Sequence, residues 1–142
     1  MKSQNFENHK RFVIPYHFVT FFLILLFILG AIRNLVVTSD ENLYPAVLLV
    51  LLGIIVLFMF FFLRVFALKA QDRAIKVEVN LRFYVLTGKL LDSKLNMRQI
   101  VALRFASDEE LVSLVKKAIE ENLSENDIKK SIKVWQPDNY RV

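Results

Sequence analysis

A chain of 142 residues is of one-domain length, but 55% hydrophobic residues with thirteen Phe is not the composition of a soluble domain. The absence of Cys excludes disulfides, thiolate metal sites, iron–sulfur ligation and thiol nucleophiles together. The net charge of +5 is uneven, with nine Lys/Arg against three Asp/Glu over residues 64–106 and six against eight over 107–142; a basic collar beside an apolar run points to a membrane surface before nucleic acid.

The first apolar run is Phe12–Ile32, "FVIPYHFVTFFLILLFILGAI", 21 residues without a charge. At about 1.5 Å per residue it matches the roughly 30 Å hydrocarbon core of a bilayer. Pro15 falls near its start, where a missing N–H costs little, and Tyr16 and His17 suit the headgroup level. No small-x-small cleavage site follows, since "GAIRN" leads straight to Arg33, so the run reads as a retained helix. The second run, Leu43–Leu63, "LYPAVLLVLLGIIVLFMFFFL", is also 21 residues and uncharged, again with Tyr-Pro at its beginning. The polar stretch "RNLVVTSDEN" between them predicts a tight connection, and therefore an antiparallel hairpin. Lys2, Lys10 and Arg11 precede the pair, and Arg64, Lys69, Arg73 and Lys76 follow it. The connection has only Arg33 among its bases. This asymmetry predicts a multi-pass protein of the cytoplasmic membrane with both termini cytoplasmic.

Neither central stretch carries an ionisable residue, which argues against a proton relay, ion path or polar substrate site within the membrane. Ala46 and Gly53 are seven apart and share a helix face. That spacing either admits a close neighbouring helix or is ordinary membrane-helix composition. His9 and His17 are the only histidines, and without further His or Cys partners they read as interfacial or solvated residues.

The domain boundary falls at residues 68 and 69, with a transmembrane hairpin over 1–68 and a cytoplasmic helical region over 69–142. In "VFALKAQDRAIKVEVNLRFYVLTGK" two periodicities compete. Ile75, Val77, Val79, Leu81, Phe83 and Val85 alternate as in a strand; Ile75, Val79, Phe83 and Leu86 fit a helical face. No Gly or Pro lies between Gly53 and Gly88, and no second convincing strand follows. The balance favours a helix running on to about residue 87 with Gly88 as its cap.

Three short amphipathic helices are expected next, each with a start signal: Asn96 with Gln99, Ser107 with Glu110, and Ser124 with Asp127. Apolar residues follow at helical spacing in each: Ile100, Val101 and Leu103; Leu111, Val115, Ala118 and Ile119; Ile128, Ile132 and Trp135. Gln136-Pro137 then ends the last helix. Asp108-Glu109-Glu110 invites a metal or acid/base reading, but the capping pattern and the helix dipole account for it. Lys116/Glu120 and Lys117/Glu121 are i, i+4 pairs on a solvated face. Lys129, Lys130 and Lys133 beside Trp135 are surrounded by acids, which weakens a nucleic-acid reading.

"ALRFASDEEL" (102–111), "IKVWQPDNYRV" (132–142), "QNFENHKRFVIPYHF" (4–18) and "QDRAIKVEVNLRFYVLTGK" (71–89) resemble a family of small bacterial two-helix membrane proteins of unknown function. The resemblance covers nearly the whole chain and carries no catalytic residues across. It implies a helical cytoplasmic segment, and Val77 and Val79 are where this chain departs most from it.

The fold class expected is thus an all-α membrane protein: a two-helix hairpin, an extended second helix and three short helices. No catalytic, cofactor-binding or metal-binding residue is assigned, and no cofactor, nucleic acid or small-molecule substrate is inferred. Residues 96–135 are too few to bury a core alone. Their apolar faces need the juxtamembrane helix, another copy or a different protein. That need suggests a non-enzymatic accessory or scaffolding subunit of a bacterial cytoplasmic-membrane complex with the C-terminal helices as interaction module, or alternatively a self-assembling homo-oligomer (a pore or membrane-organising element). Its partners would be the lipid bilayer and other membrane subunits or further copies.

Overall fold

A computed structural model describes residues 4–9 and 12–138. Lys2, Lys10 and Arg11, which enter the orientation argument, lie outside the described residues. A π-helical stretch, Pro15–Thr20, leads into α1 (Phe21–Val37). A 3-10 turn, Asp40–Asn42, precedes α2 (Leu43–Thr87), and α3 (Met97–Leu103), α4 (Asp108–Glu120) and α5 (Glu125–Ser131) follow. There is no strand among the described residues, only an isolated bridge between Ala106 and Trp135. The chain divides into two compact units, Arg11–Ala67 and Met1–Lys10 with Leu68–Val142.

In the first unit the helix that begins at Pro15 continues to Val37, five residues beyond the expected end at Ile32. Arg33 and Asn34 carry no backbone penalty that would stop it, so the connection shrinks to Thr38–Asn42. Pro15 occupies the first helical position, where its missing N–H has no intrahelical duty. Pro15–Val37 and Asp40–Thr87 are both long and apolar enough to cross a membrane. Most of their Leu, Ile and Phe side chains are exposed, including Phe22, Leu29, Phe58 and Phe61.

The small residues resolve the question left by their spacing. Ala46 and Gly53 are buried, as are Ile24 and Ala31 on α1. A Cβ on Gly53 would stand 2.8 Å from Ile28 Cγ1 and 3.4 Å from the Phe27 ring. Gly53 is therefore a point of close approach to α1 within the same chain. Toward its start, Tyr16 stacks on Phe60 with ring centroids 4.5 Å apart, and its hydroxyl donates to the Phe60 carbonyl. Gly53→Leu is expected to lower stability by about 1–3 kcal/mol through overpacking, and Gly53→Ala by less. An SDS titration of the detergent-solubilised protein, followed by far-ultraviolet circular dichroism, measures it.

The second unit opens with the remainder of α2. The competition between strand and helix at residues 74–86 is decided for helix. Ile75 and Val79 are buried, and Phe83 packs half-buried beside them. The helix closes at Gly88, whose N–H donates to Tyr84 O and whose φ of +70° is a conformation that glycine adopts without strain. Asn80 Oδ1 then accepts from Leu91 N–H at 2.9 Å, holding the chain against the helix it has just left.

The Asn96–Gln99 box forms in full. Asn96 Oδ1 accepts from Gln99 N–H, and Gln99 Oε1 accepts from Asn96 N–H. The same Gln99, buried, donates Nε2–H to Leu123 O at 2.9 Å and so ties the start of α3 to the end of α4. That end is a Schellman cap, with Asn122 at φ +47° and Leu123 N–H donating to Ala118 O. Ser124 accepts from Asp127 N–H and donates to its carboxylate, starting α5 as expected.

Two local expectations fail. Ser107 begins α4 without a side-chain cap, and its hydroxyl is buried with no hydrogen-bond partner. Glu110 does not reach back to it; its carboxylate accepts from Lys133 N–H and Val134 N–H. The last helix does not extend to Gln136 either. It stops at Ser131, Ile132 turns extended, and residues 134–136 run alongside residues 105–107. Ser107 N–H donates to Val134 O and Gln136 N–H to Phe105 O. Glu110 was drawn from the box because this extended segment offers it two backbone donors that would otherwise lack partners.

The core of the unit is one cluster, with Leu103, Phe105, Leu111 and Ile128 at its centre and Ile75 and Val79 from α2 on its flank. The apolar faces of α3–α5 thus find cover within the chain, on one another and on the juxtamembrane part of α2. Of the supports the short helices required, the juxtamembrane helix is present.

Candidate interaction surface

Several polar groups in this unit hold the fold. Arg82, on the core-facing side of α2, is the most connected. Its Nε and Nη2 donate to Asp108 Oδ1 at 2.8 and 2.6 Å. Nη1 donates to Arg104 O at 3.2 Å, and Nη2 also to Ala106 O at 2.7 Å. The planar fork suits this work, since one guanidinium can serve several acceptors that a lysine ammonium could not reach together. Asp108 is therefore more than a dipole complement, and with Glu110 it gives the acidic triplet two tertiary anchors. Lys116–Glu120 and Lys117–Glu121 form the expected i, i+4 pairs on the exposed side of α4.

The aromatic residues gather rather than line a surface. Phe105 and Trp135 pack with centroids 4.9 Å apart, and His9 lies 5.9 Å from each. His9 is half-buried, not solvated, and its Nδ1 is 2.6 Å from Phe6 O. Gln4 Oε1 accepts from Asp138 N–H, and Lys130 Nζ stands 5.7 Å over the Phe6 ring. Residues 4–9 thus belong to this unit and help enclose Trp135. Sequence reasoning missed this contact, and no periodicity in a short polar segment signals it. His17, in the other unit, has Nδ1 against the backbone of Val13 at 3.0–3.1 Å. The described residues contain no group of three or more His, Cys, Asp or Glu arranged to hold a metal ion.

What stays uncommitted is the other face of α2. Val77 is 68% exposed, Leu81 60%, Tyr84 51% and Val85 75%, while Val79 on the opposite side is 0% exposed. At 100° per residue, Val77, Leu81 and Tyr84 fall on one stripe, and Ile75 and Val79 fall behind them. Ala70 and Ala74 continue the stripe and are exposed. This is an exposed apolar face outside the two uncharged runs. The strand-like alternation that blurred the sequence reading has this origin: α2 is apolar on two sides, one for its own core and one left open.

A family model, described as a family of unknown function (DUF6526), matches residues 1–142. No curated protein and no solved structure matches the chain.

Proposed function

The chain belongs to that family, whose description assigns no activity, and from the surface just described we propose that it is a non-enzymatic integral membrane protein serving as an accessory or scaffolding subunit of a bacterial cytoplasmic-membrane complex. In this reading α1 and the first half of α2 cross the bilayer as an antiparallel hairpin. The contacts of Tyr16 with Phe60 and of Ile28 with Gly53 support the antiparallel sense, because partners descend in number on one helix as they rise on the other. Residues 38–42 face the outside and both termini the cytoplasm, as the placement of Lys and Arg favours.

The single observation that carries the reading is the exposed stripe of Val77, Leu81, Tyr84 and Val85. The three short helices, which first suggested company by being too small, are covered internally; the open face of α2 takes over that role. A second reading, self-assembly of the chain, is favoured by the spacing of the same stripe.

Two measurements test the proposal together. The chain has no Cys, so Ser39→Cys and Lys89→Cys each report one side of the membrane to an impermeant thiol reagent. Ser39→Cys is expected to label in intact cells and Lys89→Cys only after permeabilisation. Gentle detergent extraction is expected to yield a defined particle larger than one chain. Labelling at position 89 from outside, or a monodisperse monomer, would overturn the reading.

A further inference from the structure

We propose that the open face of α2 pairs with the same face of a second copy, forming a parallel two-stranded coiled coil next to the membrane; this rests on the membrane-anchored reading above. Ala70, Ala74, Val77, Leu81 and Tyr84 are spaced four, three, four and three, a heptad seam in which Ala74 and Leu81 are the a positions and Ala70, Val77 and Tyr84 the d positions. The two Ala residues admit close approach of the helices, and the three larger side chains supply the knobs.

The choice of a second copy comes from the charges at the seam's edges. Arg73 takes a g position and Glu78 the following e position. In a parallel pair a g residue meets the e residue five further along its partner. Arg73 of each copy therefore meets Glu78 of the other, and the two-fold symmetry makes two such pairs at once. Both residues are exposed, and neither is in an ion pair within the described residues. Arg73 has no acid three or four residues away on its helix. The only base so placed for Glu78 is Arg82, which is engaged by Asp108. Within one copy Arg73 and Glu78 stand on opposite flanks of the seam and cannot meet. Copies inserted in the same sense present α2 in the same direction, so the parallel arrangement that the charges require is the one the bilayer enforces.

The seam is short. Residues 70–84 rise about 21 Å, and a free helix of that length is marginal in water. Anchoring both strands in one membrane raises their effective concentration, which makes a seam of this size sufficient.

The test uses the full-length chain in native membranes. Val77→Cys and Leu81→Cys are each expected to give a covalent homodimer on mild oxidation, while Asp72→Cys and Lys76→Cys, off the seam, stay monomeric. R73E or E78R added to Leu81→Cys is expected to reduce homodimer yield on the order of tenfold, because two attractive pairs become repulsive. Differently tagged R73E and E78R chains made together are expected to recover the cross-link as a mixed dimer, since every g–e′ pair is again complementary. Seam cysteines that link no better than the off-seam controls would overturn the proposal. So would links to a different protein, or charge reversals without effect. Links to a different protein leave the scaffold reading intact, whereas the labelling experiment above fails only if that reading fails.

Discussion

Phe105→Ala is expected to cost the second unit about 3–5 kcal/mol, the range for deleting a fully buried aromatic ring. Phe105 is 1% exposed, its ring packs on Trp135 with centroids 4.9 Å apart, and the Arg104 guanidinium lies over the ring, 4.5 Å from its centroid. The truncation opens a cavity at the junction of the helical core with the extended segment 132–138 and the segment 4–9. A fold of this size has a total stability of about 5–15 kcal/mol, so the loss is a large share of it. Trp135 is the only tryptophan, and its emission reports this junction directly. The expected result is a red-shifted emission before denaturant is added and a markedly lower midpoint in urea. Phe105→Leu should recover most of the midpoint, because it refills the volume. Native emission with an unchanged midpoint in Phe105→Ala would show that the junction does not carry the core.

Arg82→Leu is the second large effect, about 2–3 kcal/mol. Its origin is not the ion pair as such. Asp108 is 61% exposed and can rehydrate when its partner leaves, whereas the Arg82 side chain is 14% exposed and serves the carbonyls of Arg104 and Ala106. Removing the guanidinium strips those acceptors of their donors where the chain bends between α3 and α4. Asp108→Ala, which leaves the two carbonyl bonds in place, should therefore cost only about 1 kcal/mol or less. The Trp135 midpoint of the two variants decides the matter. Equal losses would mean that the charge pair, not the backbone acceptors, is what Arg82 supplies.

Much of the fold was legible because its signals are local. Two uncharged runs, a Gly at position 88, an Asn–Gln box at 96 and 99 and a Ser–Asp pair at 124 and 127 each act within a few residues, and each appears where it was read. Apart from α1, which runs five residues past its expected end, the departures are cases where a distant group competes successfully for a side chain. Glu110 leaves its box for the backbone of Lys133 and Val134, and Trp135, at helical spacing from Ile128 and Ile132, packs on Phe105 in an extended pairing; Asp108 sits in the first turn of α4 as expected and adds a contact with Arg82. His9, expected to be interfacial or solvated, is half-buried against Phe105 and Trp135, which are remote from it in sequence. The open stripe on α2 was in plain view as the alternation of Val77, Leu81 and Val85 with buried neighbours, but alternation on a helix that is apolar on two faces resembles a strand until the backbone is known.

The contact of residues 4–9 with Trp135 and Asp138 has a consequence for biosynthesis. On a ribosome, residues 4–9 are made before any of the two long apolar helices, and residues 132–138 only after the whole of both. The N-terminal segment must therefore wait, uncovered, through the entire period of membrane insertion, and the aromatic junction closes last. Such late closure between remote stretches is slow relative to helix formation. A bulky fusion placed ahead of Gln4 would burden that final step more than one placed in the turn at residues 38–42.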